Sequence, residues 1–180
     1  MTEAKFEQCI RQMNEGNKEG LREVYEEYLS YIYGIVLQMI GNKENAEDIT
    51  SEFFIRLWEK SASYKPGSGH RGWMATIARN MTIDFIRKYK REELTEEFED
   101  VAQDDSKSSQ IEAQVVHQMI IEDALATLSD KEREVIHMKV MGDMTLKEIA
   151  AVLQVPMGTV AWRYREAVNK LRRCGFEQGF

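Results

Sequence analysis

Two stretches of this 180-residue chain carry side chains whose types and spacing suit contact with nucleic acid rather than bond-making. The first is Tyr64 to Trp73, YKPGSGHRGW, which interleaves Tyr64, Lys65, His70, Arg71 and Trp73. Rings beside cations are what single-stranded nucleic acid needs, rings to stack unpaired bases and cations to hold phosphates. Burial competes for Trp73, because tryptophan in a small helical domain is usually core, and this stretch alone does not separate the two readings. The second stretch is Thr145 to Arg173, TLKEIAAVLQVPMGTVAWRYREAVNKLRR, with Arg163, Arg165, Lys170, Arg172 and Arg173 set against a lone Glu166. A short helix, a tight turn and a longer basic helix form the order of a DNA-reading helix-turn-helix. Plain helix packing, with a basic last turn complementing the helix dipole, is its rival.

The elements that must position these residues are all helical. Thr145 and Glu148 have capping-box spacing, and Leu146, Ile149, Ala150 and Leu153 then recur on one apolar face. Pro156 ends that helix by removing a backbone donor and disfavouring helical geometry at Val155. The next helix turns Val160, Tyr164, Ala167, Val168 and Leu171 inward. Upstream, Ser129 and Glu132 form a second capping box that opens a helix ending at Gly142, and a helix over 111–128 precedes it. In the first half, helices are predicted over 4–14, Lys18–Ile40, about Glu44–Ser61 and Trp73–Tyr89, with Tyr64–Gly72 a Pro- and Gly-broken loop. The 18–40 helix places Leu21, Val24, Tyr25, Tyr28, Ile32, Ile35, Val36 and Met39 inward. The 44–61 helix has an apolar side and a charged one carrying Asp48, Glu52, Arg56 and Glu59. That charged side is either a solvated face or a docking surface, and charge pattern alone favours the former.

Composition excludes several classes. No apolar run approaches the roughly 20 residues of a membrane span, and the N-terminus lacks a signal-peptide pattern, so a cytoplasmic protein is expected. Cys9 and Cys174 stand at opposite ends without CxxC or Cys/His clustering, which argues for reduced thiols and against structural zinc. His117 and His137 lack ligand spacing. HExxH, GxSxG, Walker and dinucleotide signatures are missing, so neither an enzyme nor a cofactor is expected. The net charge of −7 is concentrated: residues 1–91 carry +1, residues 92–111 carry −7 and residues 112–180 carry −1. The fold expected is all-α, with two small helical domains, 1–91 and 111–180, joined by an acidic linker over 92–110.

Two motifs carry a family resemblance. AEDITSEFFIRLW (Ala46–Trp58) and GWMATIARNMTIDFIRK (Gly72–Lys88) resemble region 2 of bacterial extracytoplasmic-function sigma factors, and LATLSDKEREVIHMKVMGDMTLKEIAAVLQVPMGTV (Leu125–Val160) resembles their region 4. The resemblance implies a transcription-initiation subunit that binds core RNA polymerase and recognises promoter −10 and −35 elements. It implies polymerase contact through Asp48, Glu52 and Arg56. It makes Tyr64, Lys65, His70 and Arg71 part of the segment that captures a flipped −10 base, with Trp73, Arg79 and Asn80 on melted or melting DNA. Thr159 and Arg163 match recognition-helix positions for the −35 element, with Ala161, Trp162, Arg165, Glu166 and Lys170 on the same helix.

The chain also departs from the family pattern. Ala161 and Trp162 stand where Lys and Ser are usual, Glu166 replaces a second Arg, and His70 replaces a common Phe. Promoter sequence therefore does not transfer from relatives. A stand-alone helix-turn-helix regulator would leave residues 44–91 without a use, and a helical adaptor would be indifferent to replacement of Arg163 and Arg165. Two units on an anionic tether suit regulation by closure on each other, or by an anti-sigma factor that hides the DNA faces.

Overall fold

The computed structural model describes residues 1–93 and 125–174, and its elements are helical throughout. Most of the expected 111–128 helix and the linker from 94 onward lie outside the described residues. In chain order the helices are α1 (Glu3–Asn14), α2 (Lys18–Ile40), α3 (Lys43–Lys60), a 3₁₀ turn (Ser61–Ser63), α4 (His70–Glu93), α5 (Asp130–Val140), α6 (Leu146–Leu153) and α7 (Met157–Arg173).

The caps are local and legible. Thr2, Asn17 and Asn42 each accept a hydrogen bond from a first-turn amide of α1, α2 and α3. Both predicted capping boxes form. Glu148 and Thr145 exchange hydrogen bonds at α6, as do Glu132 and Ser129 at α5. The turn into α7 uses Gln154 in the left-handed region (φ 55°, ψ 42°), and Pro156 supplies the carbonyl that the Val160 amide reaches at 3.3 Å.

α2 is the central post. Val24, Ile32, Ile35 and Val36 are buried against α1, α3 and α4, where Phe6, Phe53, Leu57, Met74 and Ala78 close the core. Tyr25, expected inward, is 43% exposed and lies at the edge of the core against the Phe54 ring of α3 at 4.7 Å. The same core continues into the C-terminal helices: Val135, Met138, Met144, Ile149 and Val160 join it. A smaller cluster of Leu128, Ile136, Ala167, Val168 and Leu171 holds α5 against α7.

α4 begins at His70, three residues before its predicted start. Gly69 adopts φ +82°, which glycine reaches without strain, and its carbonyl accepts the Trp73 amide at 3.1 Å. His70 and Arg71 are therefore helical, not loop, residues.

Candidate nucleic-acid interface

The aromatic–cationic stretch divides into a buried side and an exposed side. Tyr64 and His70, expected to stand free in a flexible loop, are 7% and 3% exposed. Phe6 of α1 fills the space between them. Its ring stacks on His70 at 4.7 Å and meets Tyr64 edge-on at 5.2 Å and Trp73 at 6.3 Å. Trp73 packs on Tyr64 at 5.0 Å and keeps an exposed edge, so core and surface readings both describe it in part.

The polar ends of these buried rings converge on Glu3. Its carboxylate accepts from the Tyr64 hydroxyl, from His70 Nδ1 and from the His70 amide at 3.3 Å. His70 Nε2 lies 2.6 Å from the Tyr28 hydroxyl. Burial pushes the His70 pKa below its ordinary value despite Glu3, which favours neutral imidazole donating through Nδ1 and accepting from Tyr28. Burial alone would raise Glu3, but the hydrogen bonds from Tyr64 and His70 outweigh it and hold the carboxyl ionised. Lys65, Pro66 and Ser68 remain exposed, as does Asn80 one helix face away.

On α7 the inner face is as predicted. Val160, Ala167, Val168 and Leu171 are buried, while Trp162 (53% exposed), Arg165 and Asn169 face solvent and Thr159, Ala161, Arg163 and Glu166 lie at the margin. An indole left half in water by a well-packed helix has its apolar surface available to a partner. Lys170 differs from its neighbours: its Nζ sits 2.7 Å from Glu132 Oε2, the carboxylate that also caps α5. It ties α7 to α5 at the edge of their contact.

The charged face of α3 is exposed as a stripe. Arg56 lies 3.8 Å from Glu52 and 3.7 Å from Glu59, with Asp48 exposed a turn earlier and Ile55 63% exposed beside them. Surface pairs of this kind contribute little to stability, about 0.3–0.5 kcal/mol each, so the stripe is chemically free for a partner.

Between the halves, Tyr31 of α2 is a socket. His137 of α5 stacks on its ring at 5.7 Å and 10°, and His137 Nε2 lies 3.0 Å from the Tyr31 carbonyl oxygen. The Tyr31 hydroxyl donates to Met144 Sδ at 3.1 Å. Arg71 reaches Asp143 at 3.3 Å, and Arg79 reaches Glu134 at 3.5 Å. Burial raises the Glu134 pKa, opposed by Arg79 and then Arg163, so one carboxylate lies in the field of a cation from each candidate DNA surface. The sequence reading missed Glu3, Tyr31, Glu134 and the packing role of His137. Their partners are 55 to 113 residues away in the chain, beyond the reach of local spacing.

Residues 24–92 match the Sigma-70 region 2 family model and residues 124–173 match Sigma-70, region 4. The ECF RNA polymerase sigma factor SigW of Bacillus subtilis (strain 168) is 30% identical over 178 residues, covering 91% of this chain and 93% of SigW. The chain belongs to the extracytoplasmic-function (ECF) sigma factors. As an ECF sigma factor it works with core RNA polymerase on promoter DNA, and a stand-alone regulator finds no support. Two solved structures share the fold. The sigma factor RpoE from Bartonella quintana, in complex with the anti-sigma factor NepR, superposes with a TM-score of 0.61 at 23% identity, covering 88% of this sigma factor and 98% of RpoE. CnrH, in complex with the cytosolic domain of CnrY, gives 0.63 at 18% identity, covering 97% of this sigma factor and 99% of CnrH. Among the described residues of the sigma factor, no helix is long and apolar enough to cross a membrane, and no cluster of ligating side chains suits a metal ion.

Proposed function

We propose that this sigma factor uses three separate surfaces during initiation. Asp48, Glu52 and Arg56 on α3 dock core polymerase. Lys65, Arg71, Trp73, Arg79 and Asn80, with Tyr64 and His70 shaping the loop beneath, take the melted −10 strand. Thr159, Ala161, Trp162, Arg163, Arg165 and Glu166 read the −35 duplex from α7. Lys170 is left out of that set because Glu132 occupies it. The sigma factor makes and breaks no bonds, and melting is driven by capture of unpaired bases. It acts in the cytoplasm as two functional units, 1–91 and 111–180, joined by the 92–110 linker, a division supported by two separate family matches in that order.

The observation that carries the reading is the exposed outer face of α7 on a well-packed helix-turn-helix, together with the cationic loop-and-helix surface of α4. A second observation bears on regulation. The −35 and −10 elements are separate sites along one duplex, whose axis lengthens by about 3.4 Å with each base pair. Arg79 of α4 pairs with Glu134 of α5 and Arg71 with Asp143, so the arrangement described here brings the −10 surface against the C-terminal helices. It is a closed state that must open before both elements are engaged, and a shape an anti-sigma factor would hold. RpoE, which shares the fold, is bound to the anti-sigma factor NepR, and this supports an anti-sigma factor as a partner here.

The test is in-vitro transcription from fragmented genomic DNA of the source bacterium, using core polymerase with and without this protein. Discrete new start sites sharing upstream motifs are expected. No new starts, with no co-elution of the protein and core, would overturn the proposal.

A further inference from the structure

Helix α1 lies before the region 2 match, which begins at residue 24, yet it grips the 64–70 segment at three points. Glu3 accepts from the Tyr64 hydroxyl at one end of the segment and from His70 at the other. Glu7, one helical turn along the same face, has its Oε1 3.1 Å from the Gly67 amide at the middle. Phe6, fully buried, supplies the apolar floor on which the Tyr64, His70 and Trp73 rings rest. The segment adds only a short turn of its own, the Ser68 amide and hydroxyl donating to the Lys65 carbonyl at 3.1 and 2.6 Å. Gly67 and Gly69 both sit at positive φ, a backbone with many alternatives once its ties are removed.

We infer that α1 is the positioning element of the −10 loop, with Glu3 and Glu7 as positioning residues that set which base the loop accepts. The inference rests on the base-capture reading above. A loop held at its start, middle and end presents Lys65 and Ser68 to the strand in one arrangement before DNA arrives, so ordering is not charged against base capture. Glu7 is the informative residue, because its hydrogen bond goes to the loop backbone at Gly67 and it lies outside the buried ring cluster beneath. A residue that acted only on folding would change activity on every promoter alike. A positioning residue changes the ranking of bases.

The experiment uses the full chain with core polymerase on a promoter taken from mapped start sites, each −10 position carrying each of the four bases in turn. Open-complex formation is measured for the unsubstituted protein, Glu7→Ala and Glu7→Gln, with thermal unfolding and core binding alongside. Glu7→Ala is expected to lower the preference for the best base over the next by about fivefold, the worth of one hydrogen bond. Its melting temperature and core binding should be unchanged. Glu7→Gln, which keeps an acceptor oxygen, should retain most of the preference. An unchanged base ranking in Glu7→Ala, or a loss equal for all four bases, would overturn the inference while leaving base capture intact. No preference at any −10 position in the unsubstituted protein would instead overturn base capture, and this inference with it.

Discussion

Gly34 offers a way to open the closed state without disturbing either half. It lies in the middle of α2, and the nearest atoms a Cβ built there would meet belong to the His137 ring, 2.6 Å from Nε2 and 3.1 Å from Nδ1, with Cε1 closer still. These nearest obstructions all belong to α5. Gly34→Ala should therefore stabilise α2 itself by about 1 kcal/mol through helix propensity. At the same time it must push His137 off the Tyr31 ring and carbonyl, a small-to-large insertion that costs about 1–3 kcal/mol. That shifts the closed–open balance by about 5- to 150-fold toward open. The readouts are small-angle scattering, where the radius of gyration should rise, and hydrogen exchange, where α5 amides should lose protection while α2 amides gain it. Removing the obstructing ring gives the control. In a His137→Ala background the same Gly34→Ala change should cost the closed state nothing, a coupling that a double-mutant cycle reads directly. Identical scattering for Gly34→Ala and the unsubstituted protein would refute the reasoning, as would equal opening with and without the His137 ring.

Four further outcomes concern titration, the outer face of α7 and the core. Burial, opposed by the Tyr31 carbonyl, depresses the His137 pKa, so its contribution to closure is present above the ordinary value of 6.5 and is lost as pH falls through the depressed one. Scattering at pH 7.5 and pH 5 should show opening on acidification, with a smaller pH effect in His137→Gln. Glu134, raised by burial, titrates with the opposite sign, so Glu134→Gln should steepen the opening on acidification. Trp162→Ala should leave thermal stability within about 0.5 kcal/mol, since the indole is half-exposed, yet reduce transcription from promoters that depend on their −35 element. A fall in transcription that survives scrambling of the −35 sequence would speak against that role. Phe53→Ala removes a fully buried ring from the α2–α3 core and should cost about 3–5 kcal/mol in urea unfolding, with core binding lost in proportion to the unfolded fraction.

The sequence located the helices well because the signals that start and stop them are local. The Ser129/Glu132 and Thr145/Glu148 boxes formed as spaced, and Pro156 marked the entry to α7. Inner and outer faces of α7 were legible for the same reason: a period of 3.6 residues is enough to place Val160, Ala167 and Leu171 together and Trp162 away from them. The loop was less legible. Gly67, Gly69 and Pro66 announce an irregular segment, but nothing within it says that Glu3 and Phe6, more than 55 residues earlier, bury Tyr64 and His70.

What this chain determines by itself is therefore its helical elements, their apolar faces and the motifs of an ECF sigma factor, all of which depend on neighbours within a few turns. Only the tertiary structure decided which cations are free and which are paired. Arg71, Arg79 and Lys170 read alike as basic positions, yet Asp143, Glu134 and Glu132 hold them in place, while Arg165 stays exposed. The same holds for the tyrosines. Tyr25 was expected on the inner face of α2 and Tyr31 was not, yet His137 of α5 and Met144 make Tyr31 a buried socket while Tyr25 keeps its edge in water. Pairing and burial are properties of surfaces brought together across the chain, and no local spacing encodes them.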